Sequence, residues 1–90
     1  MRILWDEPKR LSNLAKHGLD FAEITEEFDF DQAILLPAQP SPAGAARVRI
    51  IGKLRGERLV AIIASALGSE ALSIVSLRPA SQKERKLYDR

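Results

Sequence analysis

Between Arg47 and Pro79 the chain reads as three apolar runs, separated by two glycine-bearing turns and stopped by a proline. Arg47 to Lys53 sets Val48 and Ile50 on one face and Arg47 and Arg49 on the other, the period-2 signature of a strand. Arg55-Gly56-Glu57 is a turn and Arg58 to Ser65 is an apolar strand, so the pair forms a hairpin. Gly68, Ser69 and Glu70 turn the chain again, and Ala71 to Arg78 is a third strand, with Leu72 and Ile74 facing alternately from Val75 and Leu77. A β-meander follows. Strict alternation in the last strand places Arg78 on the face of Leu72, Ile74 and Ser76.

The residues before the meander have a different period. Met1 to Trp5 alternates weakly and suits a short edge strand. Asp6 is an N-cap, Pro8 is tolerated in a first helical turn, and Leu11, Leu14 and Ala15 mark one face, with Gly18 as the left-handed stop. This predicts a helix from Glu7 to His17. Asp20 and Glu23 have capping-box spacing, and Phe21, Ile24 and Phe28 share one side, predicting a second helix over Phe21 to Phe28. Gln32 to Leu36 reads as a strand closed by Pro37, and the breakers between Pro37 and Gly44 predict a mobile loop. After Pro79, Ser81 and Glu84 repeat the capping-box spacing. They open a last helix to Asp89 that is polar and basic, lies on the surface, and has Leu87 and Tyr88 as its only large apolar residues.

The expected fold class is α+β, with two N-terminal helices, an antiparallel sheet of three to five strands and a C-terminal helix. Ninety residues suffice for one core, so a single domain over residues 1–90 is expected. With no cysteine, neither disulfides nor a thiolate metal site can support that core. The N-terminal apolar patch ends at Trp5, and the longest apolar stretch, Leu59 to Leu67, is less than half a membrane span. A soluble cytoplasmic protein without a membrane partner is the expectation.

The net charge of +2 conceals a division: residues 1–46 carry four Lys or Arg against eight Asp or Glu, and residues 47–90 carry ten against four, so −4 faces +6. Such a chain either presents a basic surface to phosphates or merely has two solvated faces of opposite sign. There is no P-loop, no glycine-rich nucleotide fingerprint, no nucleophile elbow and no metal-spaced cluster, so neither a metal nor another cofactor is expected. What remains is a set of cations. Arg47 and Arg49 project from one strand, Arg78 ends another, and Lys83, Arg85 and Lys86 line the last helix near Tyr88. Guanidinium groups donate paired hydrogen bonds to phosphate oxygens and stay charged, which suits them to gripping an RNA backbone. His17 is a candidate for proton transfer or a complement to its helix dipole. Tyr88 either stacks on a base, donates a proton or packs under its helix. Glu84 either holds an arginine, acts as a base or only caps its helix, and its alternative pairing with Arg78 is expected to be an exposed salt bridge.

Trp5-Asp6, Lys9, Asn13, Lys16-His17-Gly18, Phe21, Phe28-Asp29, Arg47, Ile51-Gly52, Ser76, Arg78, Ala80, Glu84-Arg85 and Tyr88, taken in order, resemble the BrnT-like toxins of bacterial type II toxin-antitoxin modules. The resemblance spans almost the whole chain and implies a RelE-like ribonuclease fold. It also implies a cognate BrnA-like antitoxin with a ribbon-helix-helix part, through which alone operator DNA would be bound. The implied activity is metal-free endoribonuclease cleavage, with Arg78 and Arg47 as the cations and His17, Glu84 and Tyr88 as the groups able to supply acid and base. Arg49, Lys83, Arg85 and Lys86 would hold RNA. The chain departs from the family's habit at Ala45 and Ala46, where acidic residues are usual, and at Ser73, where an arginine is usual. A non-catalytic module that keeps the fold and binds RNA or an antitoxin is the alternative reading.

Overall fold

The computed structural model describes every residue except Ser41, Ala43, Ala45 and Arg90. Part of the expected loop after Pro37, and the departure at Ala45, therefore fall outside the described residues. The elements run β1 (Arg2–Trp5), α1 (Glu7–His17), α2 (Glu23–Glu27), β2 (Ile34–Pro37), β3 (Arg47–Leu54), β4 (Arg58–Leu67), β5 (Ala71–Pro79) and α3 (Gln82–Tyr88). They form one five-stranded sheet in the order β1-β5-β4-β3-β2. The meander β3-β4-β5 is its centre, and β2 adds to β3 antiparallel. The sheet is not wholly antiparallel: β1 runs parallel to β5, from Arg2 beside Ala71 to Trp5 beside Ile74.

One face of the sheet carries the main core. Ile50, Leu54, Val60, Ile62, Ala64, Leu72, Ile74 and Leu77 meet Leu19, Phe21, Ile24 and Phe28 there. The other face carries a smaller cluster of Ile51, Leu59, Ala61 and Ala80, against which Ile34, Leu36 and Tyr88 pack. Strict alternation does not survive along β5. Ile63 pairs with Ser76 but Ala64 pairs with Ile74, so Val75 is an extra residue and the strand is bulged. Leu77 thereby rejoins the core face of Leu72 and Ile74. Arg78 and Ser76 turn to the opposite face, away from the one expected for Arg78.

Helix α1 has the expected bounds, and Gly18 ends it at φ 69° in the left-handed region. Its packing face is not the apolar one. Asn13 is its buried residue, while Leu11 is 53% exposed and Leu14 is also exposed. The reason lies in the sheet. β1 stops opposite Ile74, so β5 has unpaired backbone beyond that point. Asn13 supplies the missing partner: its amide donates to the Leu77 carbonyl at 2.8 Å and its oxygen accepts from the Leu77 N–H at 3.1 Å. A second donation reaches the Leu19 carbonyl at 3.1 Å. Asp6 stands at the N-cap position but makes no side-chain cap.

Helix α2 is shorter than expected. Asp20 accepts from the Ala22 N–H at 3.0 Å, the start of a turn, and regular helix begins only at Glu23. At the other end Phe28 is extended and bridges to Leu54, and its ring lies over Gly52 so closely that an added Cβ there would sit 2.6 Å from the ring. Phe21, Ile24 and Phe28 are nonetheless all buried, as their spacing suggests.

Candidate active site

The strand register gathers the arginines. Arg49, Ile63 and Ser76 form one cross-strand row, and Ile51, Ala61 and Arg78 form the adjacent one. Arg47 heads a third row with Ser65 and Ser73. Directly paired residues project from the same side of a sheet, so the three arginines share the face opposite the main core. Ser73, the departure noted in the sequence, lies on that face too.

Helix α3 crosses this face and sends Glu84 beneath it. Its capping box is complete: the Glu84 N–H donates to Ser81 Oγ and the Ser81 N–H donates to Glu84 Oε1. The same carboxylate is only 1% exposed. Arg78 grips it with both terminal nitrogens, Nη1 to Oε1 at 2.7 Å and Nη2 to Oε2 at 2.9 Å, and Arg49 Nη1 reaches Oε2 at 3.1 Å. The expected exposed salt bridge between Arg78 and Glu84 is instead a forked pair on a buried carboxylate. The Arg78 hydrogen bonds hold the Glu84 carboxyl down to about 2, against the upward push of burial, and Glu84 in turn raises the pKa of Arg78. A carboxylate so occupied is anionic at neutral pH and has little lone-pair capacity left for a substrate proton.

The arginines are not fully consumed by it. Among the described residues, Arg47 Nε and Arg49 Nε are buried without a hydrogen-bond partner and no carboxylate pairs with Arg47. Arg47, Arg49 and Arg78 line a depression of about 340 Å³ with Pro37, Gln39 and Ile63. That volume lies within the usual range of small-ligand sites. Donors held in place around a cavity on a buried counter-charge are what an anion with several oxygens requires.

The other candidates are distributed around this centre. Tyr88 packs on the Ile51 cluster, on the same face as the arginines. Lys83, Arg85 and Lys86 are exposed on α3 and do not line the depression, and the α3 residue that Arg78 binds is Glu84. His17 lines a different depression, at the outer edge of β5. Arg49 has a more central place than the peripheral RNA contact its exposed-strand position suggested, and its i, i+2 relation to Arg47 is the only sequence sign of it. Among the described residues no group of three or more His, Cys, Asp or Glu is placed to hold a metal, and no helix is long and apolar enough to cross a membrane.

Residues 5–84 match the family described as "Ribonuclease toxin, BrnT, of type II toxin-antitoxin system". The chain is also similar to a solved structure, the Brucella abortus ribonuclease toxin BrnT, at 47% identity and a TM-score of 0.74, over 91% of this chain and 99% of that one. No curated protein matches it.

Proposed function

We propose, from the premise that the chain belongs to the BrnT family of ribonuclease toxins of type II toxin-antitoxin systems, that it cleaves RNA as a single cytoplasmic domain without a metal ion, at the cluster of Arg47, Arg49 and Arg78. The observation that carries this reading is the convergence of three guanidinium groups on one open depression, two of them fixed by a buried carboxylate and two with an unused buried Nε.

In the reaction a ribose 2′-oxygen attacks the adjacent phosphorus while the 5′-oxygen of the next nucleotide leaves, so a 2′,3′-cyclic phosphate forms and one proton moves from the nucleophile's side to the leaving group's. Negative charge gathers on the phosphoryl oxygens on the way, and preorganised donors stabilise it. Arg47 and Arg78 are assigned to those oxygens, with Arg49 beside them. Glu84 is assigned as the positioning residue that fixes Arg49 and Arg78, since its low pKa and four hydrogen bonds argue against a base. Of the two remaining proton carriers, Tyr88 shares the arginine face and His17 does not, which favours Tyr88. Lys83, Arg85 and Lys86 would contact flanking RNA.

A type II toxin has a cognate antitoxin. We infer that here it carries a ribbon-helix-helix part, which alone contacts operator DNA. The test of the cleavage reading is Arg47→Ala, because Arg47 is not part of the Glu84 ion pairs. Cleavage of RNA in excess chelator should proceed at the wild-type protein's full rate and fall on the order of 100-fold to 1000-fold in the variant, with an unchanged melting temperature. Full-rate cleavage by the variant would remove Arg47 from the site, and loss of wild-type activity in chelator would remove metal independence.

A further inference from the structure

The depression at the outer edge of β5 is built from the polar face of α1. Lys9, Ser12, Asn13, Lys16 and His17 recur at i, i+3, i+4, i+7 and i+8, one side of a helix, and they line it together with Val75 and Ser76 of β5. This is the side that packs on β5, while Leu11 and Leu14 point outward. The cations of α1 are thus of two kinds. Arg10 is bound to Glu7 and Asp20. Lys9, Lys16 and His17 take part in no ion pair among the described residues.

The depression is separate from the arginine site but adjoins it across one strand pairing. Ser76 lines it and is paired with Ile63, which lines the arginine depression and is paired in turn with Arg49. Arg49 and Ser76 are therefore two strand spacings apart, roughly 10 Å, or about three stacked nucleotides. Cations stand on both sides of this pairing, Arg47 and Arg49 on one and Lys9 and Lys16 on the other, with Ile63, Val75 and Ser76 between them and no carboxylate among the residues lining either depression. Lysine is a point charge with rotatable donors, suited to phosphates whose position varies, whereas the fixed guanidinium fork suits one phosphate held for chemistry.

We propose that the α1–β5 depression is a second phosphate subsite, in which Lys9, Lys16 and His17 hold the single-stranded RNA backbone a few nucleotides from the scissile bond. The assignment rests on the RNA-cleavage reading of the arginine cluster. It gives His17 a backbone contact in place of the proton transfer suggested by its residue type.

The experiment measures binding of the full chain to a long single-stranded oligodeoxynucleotide and to a dinucleotide as salt is raised. DNA supplies the phosphates but no attacking hydroxyl, so binding is read apart from cleavage. For Lys9→Ala/Lys16→Ala the slope of log affinity against log salt for the long strand should fall by about 1.4, since each phosphate contact on a single strand contributes about 0.7. The affinity advantage of the long strand over the dinucleotide should shrink by about 10-fold at low salt. Lys9→Arg/Lys16→Arg should restore both. An unchanged slope and advantage in the alanine variant overturn the subsite, and so does a variant that binds the long strand normally but no longer binds the antitoxin, because the depression would then face protein. Failure of the cleavage reading looks different: wild-type protein that binds the long strand with the full slope yet leaves RNA intact.

Discussion

Glu84 is the residue on which the arginine site depends, and its chemistry makes that dependence measurable. Its carboxyl stands at about 2 in the folded chain against an ordinary value near 4.5. A group whose pKa is depressed by folding contributes stability that is fully present above its ordinary value and is lost as pH falls toward the folded one. The folded protein should therefore lose on the order of 2–4 kcal/mol as pH falls from about 5 to about 2. Urea unfolding across that range should show the loss, and Glu84→Gln should remove most of it; an equal pH dependence in Glu84→Gln would mean that other carboxylates carry the effect. The same geometry changes what Arg78→Ala can reveal. Removing Arg78 leaves a buried carboxylate with Arg49 as its one remaining cation among the described residues, which typically costs about 3–5 kcal/mol. Lower cleavage in that variant should come with a lower melting temperature, unlike Arg47→Ala. A spacing of three between Ser81 and Glu84 reveals a capping box, a local motif. That the same side chain is 1% exposed and holds two arginines is long-range information, absent from any local spacing.

At the level of elements, signals local to the chain were legible and those set by neighbours were not. The bounds of α1, the glycine stop at Gly18 and the meander of β3, β4 and β5 all follow from short-range period and turn chemistry. The parallel pairing of β1 with β5 joins the two ends of the chain, and nothing in Met1 to Trp5 specifies its partner. The bulge at Val75 turns Arg78 to the arginine face without a glycine or proline to announce it. Nor does Asn13 look like a core residue, because polar side chains are buried only where a partner is waiting. Its role predicts that Asn13→Leu, which preserves size but loses the bonds to Leu77 and Leu19, destabilises the fold by about 1–3 kcal/mol. Hydrogen exchange should then quicken first at Leu77, and a variant as stable as the wild type would show that α1 docks without it. Gly52 offers a second test. A methyl group there would press on Phe28 and on Ala33, so Gly52→Ala should cost about 1–3 kcal/mol. Adding Phe28→Leu to it should cost less than the two single changes summed, since the ring is what the methyl meets.

Across the whole molecule, the division of charge read from the sequence becomes a division of surfaces. The three arginines, Lys83, Arg85 and Lys86 lie on the sheet face crossed by α3 or on α3 itself, while Glu7, Asp20 and Glu23 are engaged by Arg10 and Arg55 on the helical side. The molecule also leaves apolar surface uncovered: Leu11 and Leu14 on α1, and Met1, Phe30 and Leu35, the last 67% exposed, around a separate depression floored by Ile50 and Leu72. A cysteine-free fold of 90 residues has a small reserve of stability, so a partner that binds only the native state should change its melting behaviour strongly. Mass action gives the size. Antitoxin at about 100 times its dissociation constant adds about 2.7 kcal/mol. For a domain of this length each kcal/mol moves the melting temperature by roughly 4–8 °C, so a rise of about 10–20 °C is expected. The rise should grow with the logarithm of antitoxin concentration once binding is saturated, which a fixed chemical modification or nonspecific crowding would not reproduce. Calorimetry of the toxin titrated with its antitoxin measures this directly. If the isolated chain melts as high as the complex at every ratio, the antitoxin does not act by binding the native toxin, and its neutralising effect must be exerted elsewhere.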